Sequence, residues 1–266
     1  MRLALGQPPS RPSLGENILA AAELVEQASN NNAHLLLLPE LFLSGYRLDA
    51  IANTPQEWVV TVTDARLQPL VRSAERHGVA VAVGAALHDA ATATIHNATL
   101  WIRTDGSVEH VYSKVHLWEE ERAVFAPGNR QAIVRCHDLT LGIGICYDAG
   151  FPEFTRSYAQ AGVDAVLFSS AFATGNEQYR YDIYHPSRAL ENGVYVAVSN
   201  SVGIIDGSEF FGQSRVFDRS GRCMLNTPLA QSLAVAELST ASTDEQLVPF
   251  LKDLRSITVK PDYFKG

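Results

Sequence analysis

The chain has 266 residues, a mass of 29.0 kDa and a formal net charge of −8. Its hydrophobic content of 46% is enough for a substantial core. The acidic balance and the lack of a basic stripe argue against a nucleic-acid partner, and no apolar run approaches the roughly 18–20 residues of a membrane helix, so we expect no membrane partner.

Strand and helix patterns alternate along the first half of the chain. Apolar runs predict strands, and apolar residues three to four positions apart predict helices. The predicted order is a strand at 2–7, a helix at 14–30, a strand at 35–38, an irregular stretch through residue 54, a helix at 63–77 and a strand at 79–87. Residues 95–102 then pair with 108–114 across Asp105-Gly106, which is a strong hairpin signal.

The same alternation continues in the second half. The predicted elements are a strand at 139–145, a helix at 153–161, a strand at 165–169, a helix at 182–192, a strand at 195–199 and a hairpin of 214–217 with 223–225. Strands that alternate with helices, with hairpins between them, predict a layered α/β fold. No linker-like tract divides the chain, which favours a single domain over residues 1–266.

The cysteines and histidines suggest no metal site. Cys136, Cys146 and Cys223 lack CxxC spacing, which predicts neither a disulfide framework nor a zinc site. The histidines lack an HExxH pattern, so we expect no metal and no cofactor. The amino terminus reads as a short strand and not as a signal peptide, so we expect a cytoplasmic protein with reduced thiols.

Cys146 ends the apolar run 139–145 where a strand breaks into a turn before a helix. Such a break suits a nucleophile, because the strand positions the sulfur while the backbone N–H groups that follow stay free for an oxyanion. A lone cysteine at a strand end is more often a small buried hydrophobic residue. The interpretation therefore depends on partners elsewhere in the chain.

Glu40 follows the four leucines 35–38 and Pro39. Leucines without alternation predict a strand buried on both faces, and Pro39 ends it because proline cannot continue the ladder. The apolar residues 41–43 leave the carboxylate poorly solvated, which should raise its pKa and make Glu40 a general base near neutrality. The alternative is a solvated loop glutamate.

Lys114 lies in the apolar and aromatic stretch 111–118. Its ammonium group can stay charged there only beside a carboxylate. Next to Cys146 it would favour the thiolate and stabilise a tetrahedral oxyanion. The alternative is a lysine whose aliphatic stem covers apolar surface.

Together these segments resemble the carbon–nitrogen hydrolase (nitrilase) superfamily, whose members use a Glu–Lys–Cys triad. The motifs are PE-x-F-x-x-G-Y at Glu40, Y-x-K-x-H-L at Lys114 and C-Y-D-x-x-F-P-E at Cys146, in the family order. The resemblance implies that Glu40 is the base, Lys114 the electrostatic stabiliser and Cys146 the nucleophile. It also implies a four-layer α-β-β-α sandwich of the nitrilase type.

The resemblance further implies a second glutamate ahead of the F-x-P-G turn at 125–128. Glu119, Glu120 and Glu121 are the candidates, and the family spacing of seven residues after the lysine favours Glu121, with Glu120 as the alternative. Glu121 would orient the substrate amide or position Lys114.

Oxyanion or substrate binding is expected from four more residues, namely Tyr147, Tyr46, His116 and Ser170. The backbone N–H of Tyr147 would stabilise the oxyanion, and for His116 a structural or pocket-lining role is the alternative to chemistry.

By the same resemblance the chain is a single carbon–nitrogen hydrolase domain, 1–266, that forms a homodimer or a higher homo-oligomer. A C-terminal extension from about residue 240 is expected to serve in packing or dimer contacts.

The implied reaction is hydrolysis of a small aliphatic or ω-amino carboxamide to the acid and ammonia, through a thioester on Cys146. Tyr147-Asp148 replaces the Trp-Glu typical of nitrile-cleaving members, and Ala149-Gly150 supplies no arginine for a substrate carboxylate. The alternatives are an N-carbamoyl-amine or N-carbamoyl amino acid amidohydrolase, a nitrilase, and a triad-bearing binding or assembly module.

Overall fold

The computed structural model of the protein describes residues 1–240, 251, 254 and 255. In chain order its strands are β1 (Arg2–Gln7), β2 (Leu35–Leu37), β3 (Ala80–Asp89), β4 (Thr94–Ile102), β5 (Val108–Ser113), β6 (Ile133–Cys136), β7 (Leu139–Ile145), β8 (Ala165–Ser170), β9 (Tyr195–Asn200), β10 (Val202–Ile205), β11 (Ser208–Phe211), β12 (Arg215–Phe217), β13 (Cys223–Asn226) and β14 (Ser232–Glu237). The α-helices are α1 (Leu14–Asn30), α2 (Leu48–Asn53), α3 (Pro55–Trp58), α4 (Gln68–His77), α5 (Pro152–Gln160) and α6 (Asn176–Asn192).

Two six-stranded mixed sheets form the centre of the molecule, with strand orders β14-β1-β2-β3-β4-β5 and β13-β12-β9-β8-β7-β6. In each sheet three neighbouring strands are parallel (β1, β2 and β3 in one, β7, β8 and β9 in the other), and the flanking strands are antiparallel. Helices α1 and α4 cover one sheet, and α5 and α6 cover the other. The four-layer α-β-β-α sandwich predicted from the sequence is therefore confirmed.

The leucine run before Glu40 shows why the sequence does not alternate there. Leu35 and Leu37 belong to the core between the sheets, whereas Leu36 and Leu38 pack under α1 and α4. All four are buried, because this sheet is covered on both faces.

Two buried hydrogen bonds tie the sheets together at one end. Ser199 Oγ donates to the Gly6 carbonyl at 2.7 Å, and Ser169 Oγ donates to the Leu38 carbonyl at 2.8 Å. The carboxyl ends of β2 and β8 therefore meet, and since β7 is the parallel neighbour of β8, the residues that follow β2 and β7 come together at this edge.

Some elements differ from the sequence predictions. The helix predicted at 63–77 is a 3₁₀ turn at Ala65–Leu67 followed by α4, and the second long helix, α6, begins at Asn176, six residues earlier than predicted. The stretch predicted as irregular contains α2, and β6, β14 and the β10–β11 hairpin were not predicted. β14 pairs with β1 from the far end of the chain, a partnership that local periodicity does not reveal.

The extension predicted from about residue 240 falls largely outside the described residues. Within residues 1–240, 251, 254 and 255, no helix is long and apolar enough to span a membrane.

Candidate active site

Cys146 begins a short 3₁₀ turn, Cys146–Gly150, directly after β7. Its φ angle is +43°, in the left-handed region that non-glycine residues rarely adopt. Leu41, which follows Glu40, also has a positive φ of +50°. The chain therefore turns sharply after both strands, beside Glu40 and at Cys146. Each such conformation costs about 1–3 kcal/mol, which the surrounding structure must offset.

A buried lysine lies between two buried carboxylates. Lys114 Nζ is 2.6 Å from Glu40 Oε1 and 2.8 Å from Glu121. All three side chains are almost fully buried. Lys114 is therefore the buried and paired lysine that the sequence predicts, and not a lysine that covers surface.

Of the three candidates for the second glutamate, Glu121 is the one in this cluster. Its Oε2 accepts the Trp118 backbone N–H at 2.8 Å, and its Oε1 accepts the Tyr46 hydroxyl at 3.0 Å. Glu120 is exposed and lines the cleft outside the cluster. The family spacing thus selects the residue that contacts Lys114.

Asn97 joins the cluster although no sequence motif pointed to it. Its Nδ2 donates to Glu40 Oε1 at 2.7 Å and to Glu121 Oε1 at 2.9 Å. Asn97 lies on β4 next to the strand that delivers Lys114, and its carbonyl accepts the Lys114 backbone N–H at 2.8 Å. A single asparagine in a strand carries no distinctive pattern, so only the pairing of β4 with β5 reveals its position.

The two glutamates have opposite pKa shifts. The pKa of Glu40 is raised to about 7, because burial and the repulsion of Glu121 raise it by more than the charge and hydrogen bond of Lys114 and the hydrogen bond of Asn97 lower it. Burial would also raise the pKa of Glu121, but the charge of Lys114 and the hydrogen bonds it accepts hold that pKa below its usual value. Burial would lower the pKa of Lys114, yet the two carboxylates raise it. The raised pKa predicted for Glu40 is confirmed.

The thiol of Cys146 is protonated at rest. Burial raises its pKa well above the usual value and the charge of Glu40 raises it further, whereas Lys114 and a hydrogen bond from the backbone of Ala171 lower it. Lys114 does favour the thiolate, as predicted, but its effect is smaller than the cost of burying the charge. A base must therefore remove the proton when the substrate is bound.

Asp148, two residues after Cys146, anchors the turn. Its Oδ2 accepts the Tyr112 hydroxyl at 2.7 Å and the Ile145 backbone N–H at 3.0 Å. Its Oδ1 contacts His116 Nδ1 at 2.8 Å and accepts the His116 backbone N–H at 3.0 Å. One fully buried carboxylate thus joins the chain before Cys146 to the chain on both sides of Lys114.

Of the other predicted site residues, some line the same cleft as the thiol and some do not. Tyr46 and Tyr147 line a cleft of about 150 Å³ together with Lys114 and Cys146. His116 bonds to Asp148 and stacks on Phe151 with ring centroids 3.7 Å apart, so it does not line this cleft.

Ser170 is buried at the end of β8, and its Oγ has no hydrogen-bond partner among the described residues. The next residue, Ala171, lines the cleft instead. No group of three His, Cys, Asp or Glu in the described part of the chain is arranged to hold a metal ion.

A sandwich of this topology, with a thiol at a strand end beside a buried Glu–Lys–Glu cluster, defines a hydrolase of the amidase and nitrilase class. The profile of the carbon–nitrogen hydrolase family matches residues 2–246, and the chain belongs to that family.

Its relatives place it in the amidase-like branch of that superfamily. An omega-amidase from Saccharomyces cerevisiae is 27% identical, with 92% of this chain and 90% of the relative covered. An (R)-stereoselective amidase from Pseudomonas sp. is 32% identical, over 77% of this chain and 72% of the relative. A cysteine-to-alanine mutant of the amidase from Nesterenkonia sp. in complex with butyramide is 30% identical, with a TM-score of 0.84 over 96% of this chain and 94% of that chain.

Proposed function

We propose that this amidase hydrolyses a small aliphatic or ω-amino carboxamide to the carboxylic acid and ammonia through a thioester on Cys146. The observation that carries the proposal is the cleft in which Cys146 and Lys114 meet, with Glu40 buried behind Lys114. The butyramide complex of the Nesterenkonia amidase supports a small aliphatic acyl group.

In the first half of the reaction Glu40 accepts the Cys146 proton and the thiolate attacks the amide carbon. Glu40 Oε2 has no hydrogen-bond partner among the described residues, so this oxygen is free to take the proton. The ammonium group of Lys114 and the Tyr147 backbone N–H stabilise the oxyanion. Glu40 then returns the proton to the leaving nitrogen, and ammonia departs.

In the second half Glu40 takes a proton from a water molecule that attacks the thioester carbonyl. The same two donors stabilise the second oxyanion. When it collapses, the carbon–sulfur bond breaks and Glu40 passes its proton to the Cys146 sulfur, which restores the thiol. A pKa of about 7 suits Glu40 to both directions of proton transfer near neutral pH.

The remaining roles follow from the contacts. Glu121 keeps Lys114 charged and positioned, and Tyr46 orients Glu121. Through Asp148, His116 supports the turn that carries Cys146. The free Ser170 Oγ is a candidate hydrogen-bonding group beside the cleft-lining Ala171.

Nitriles and N-carbamoyl compounds are the competing substrates. The residues after Cys146 favour amides over both, since Tyr147-Asp148 departs from the nitrile-cleaving pattern and positions 149 and 150 provide no arginine.

An ammonia-release assay with aliphatic, aromatic, ω-amino and N-carbamoyl amides and with nitriles tests the reaction. We expect turnover of small amides by the wild type and loss of turnover in Cys146→Ser with the fold retained. Cys136→Ala and Cys223→Ala, which change the other two thiols, should keep most of the activity. Equal rates for the wild type and Cys146→Ser, or turnover of nitriles alone, would contradict the proposal.

We also propose a domain organisation, an oligomeric state and a location for the protein. A single domain over 1–266 is supported by the family match to residues 2–246. A homodimer is supported by exposed apolar residues on α6, namely Tyr179, Ile183 and Leu190. A cytoplasmic location is supported by the three free cysteines, one of which must stay reduced to act as a nucleophile.

A further inference from the structure

The charges around the cleft are unevenly distributed. Among the described residues that line it, Lys114 is the one with a positive charge, and it already forms ion pairs with two carboxylates. Two further carboxylates, those of Glu120 and Glu177, line the same cleft. The described lining of the cleft therefore has more carboxylates than cations.

The nearby arginine is also engaged. Arg180 NH1 forms an ion pair with Glu177 at 2.8 Å, and its guanidinium lies over the Trp118 ring at 5.6 Å from the centroid. Arg180 is therefore held away from a substrate carboxylate by a partner of its own. Glu120, in contrast, has no hydrogen-bond or ion-pair partner among the residues that the structure describes.

Most of the other residues that line the cleft are apolar or aromatic. Trp118 and Tyr147 pack edge to face with ring centroids 4.8 Å apart, and Phe172 and Phe210 also line the cleft. Such a wall suits a short methylene chain, and a volume of about 150 Å³ limits its length. A cleft lined by apolar side chains and by carboxylates matches a molecule with an aliphatic middle and a cationic end.

We propose that the cleft selects amides whose acyl chain ends in a protonated amine, with Glu120 and Glu177 as the specificity-determining residues. This inference rests on the amide hydrolysis proposed above and names its substrate class. An anionic acyl chain is disfavoured, because it would meet the carboxylates of Glu120 and Glu177, whereas Lys114 and Arg180, the described cations at or beside the cleft, already have ion-pair partners.

Three amides of matched length test the selection: 5-aminopentanamide, hexanamide and glutaramate, whose far ends are cationic, neutral and anionic. At low ionic strength we expect kcat/KM to fall in that order. Partly exposed charge pairs contribute up to about 1 kcal/mol, so Glu120→Gln should lower the ratio of kcat/KM for the cationic over the neutral amide about fivefold. High salt should reduce the preference in the wild type, because it screens exposed charges.

Glu177→Gln should also lower the ratio of kcat/KM for the cationic over the neutral amide. It should raise kcat/KM for glutaramate, since it releases Arg180 from its ion pair. The matched control is Glu119→Gln, which removes the same charge from an exposed neighbour that does not line the cleft. In Glu119→Gln the ratio of kcat/KM for the cationic over the neutral amide should stay at the wild-type value.

Equal kcat/KM for the cationic and neutral amides in the wild type would overturn the inference. So would a Glu120→Gln/Glu177→Gln double variant with an unchanged ratio, or an equal loss in Glu119→Gln. Hydrolysis of hexanamide without a preference for the amine would refute this selection alone. Absence of hydrolysis of all three amides would contradict the proposed function, and the selection with it.

Discussion

The two glutamates of the cluster differ because of the partners that each one has. Glu121 accepts hydrogen bonds from Trp118, Tyr46, Asn97 and Lys114, which together stabilise its charge. Glu40 accepts the bonds from Lys114 and Asn97 with Oε1, and its Oε2 has no hydrogen-bond partner within the described part of the chain. The permanent ion pair is therefore Lys114 with Glu121, and Glu40 is the group that can gain and lose a proton near neutral pH.

The acid limb of the pH profile of kcat/KM should lie near pH 7, where the Glu40 carboxylate forms. The Asn97 hydrogen bond lowers the pKa of Glu40. Asn97→Leu removes that bond, so the pKa rises, the carboxylate forms only at higher pH, and the limb should move to higher pH. Steady-state kinetics across pH 5–9 measure this shift.

Thr99→Val is the control for that experiment. Thr99 is buried two residues further along β4, and its Oγ1 has no partner among the described residues, so its loss should leave the limb in place. A limb in Asn97→Leu that stays near pH 7 or moves to lower pH would show that Asn97 does not tune Glu40.

At the scale of elements, the site depends on the close approach of β3 to the chain that follows β2. A Cβ atom on Gly84, in β3, would lie 2.4 Å from the Leu41 nitrogen, 2.4 Å from the Pro39 oxygen and 2.8 Å from the Glu40 carbonyl carbon. All three are backbone atoms, which cannot rotate away as a side chain would. Glycine at this position therefore allows the chain around Glu40 to run beside β3.

We expect Gly84→Ala to displace Glu40 and reduce kcat by on the order of 100-fold, the effect of a misplacement of about 1 Å. Overpacking should also destabilise the fold by about 1–3 kcal/mol. Gly15→Ala is the matched control, because Gly15 lies in the first turn of α1 and no atom of the described residues is within 4 Å of its Cβ position. That variant should keep the wild-type kcat and gain about 0.4–1 kcal/mol of unfolding free energy, because alanine restricts the unfolded chain.

Thermal unfolding and steady-state kinetics measure both effects. A Gly84→Ala enzyme with wild-type kcat and unfolding temperature would mean that the backbone at Glu40 can shift without affecting the site.

At the scale of the whole molecule, one end of the sandwich is the active end. β2 and β7 belong to different sheets; β7 passes directly into Cys146, and Glu40 follows the end of β2 after Leu38 and Pro39. Lys114 follows β5, at the margin of the first sheet. The site therefore needs the two sheets to keep a fixed relative position, which the hydrogen bonds from Ser169 and Ser199 help to maintain.

The outer layer provides a candidate dimer surface. On α6, Tyr179, Ile183 and Leu190 recur at helical spacing and are exposed, with 72%, 42% and 49% of their surface accessible. Light scattering after size exclusion should give a homodimer for the wild type. The double variant Ile183→Asp/Leu190→Asp should shift it towards the monomer, because burial of two charges without partners is unfavourable.

Ile204→Asp is the control, since Ile204 is 74% exposed and lies on a different element, β10. A monomeric wild type at all concentrations would refute the dimer, and dissociation by Ile204→Asp but not by the α6 variant would place the interface elsewhere.

Much of the frame of the protein can be predicted from its sequence. Strands β1, β2, β7 and β9 and helix α1 can be predicted because each is encoded by a local pattern of 3 to 17 residues. Glu40, Lys114 and Cys146 stand out because each breaks an apolar run with a group that is costly to bury. The prediction fails where pairing is remote, as for β14 with β1.

The sequence by itself determined which residue types are available for the chemistry, since the apolar neighbours of Glu40 and Lys114 and the position of Cys146 at the end of an apolar run are local facts. Only the tertiary structure decided how these groups are paired and charged. Asn97 and Asp148 reach the site through strand pairing and a turn, and the balance between burial and Lys114 leaves Cys146 as a thiol. The physical reason is that pKa values and hydrogen-bond partners depend on distances between segments far apart in the chain, whereas sequence patterns report only on neighbours.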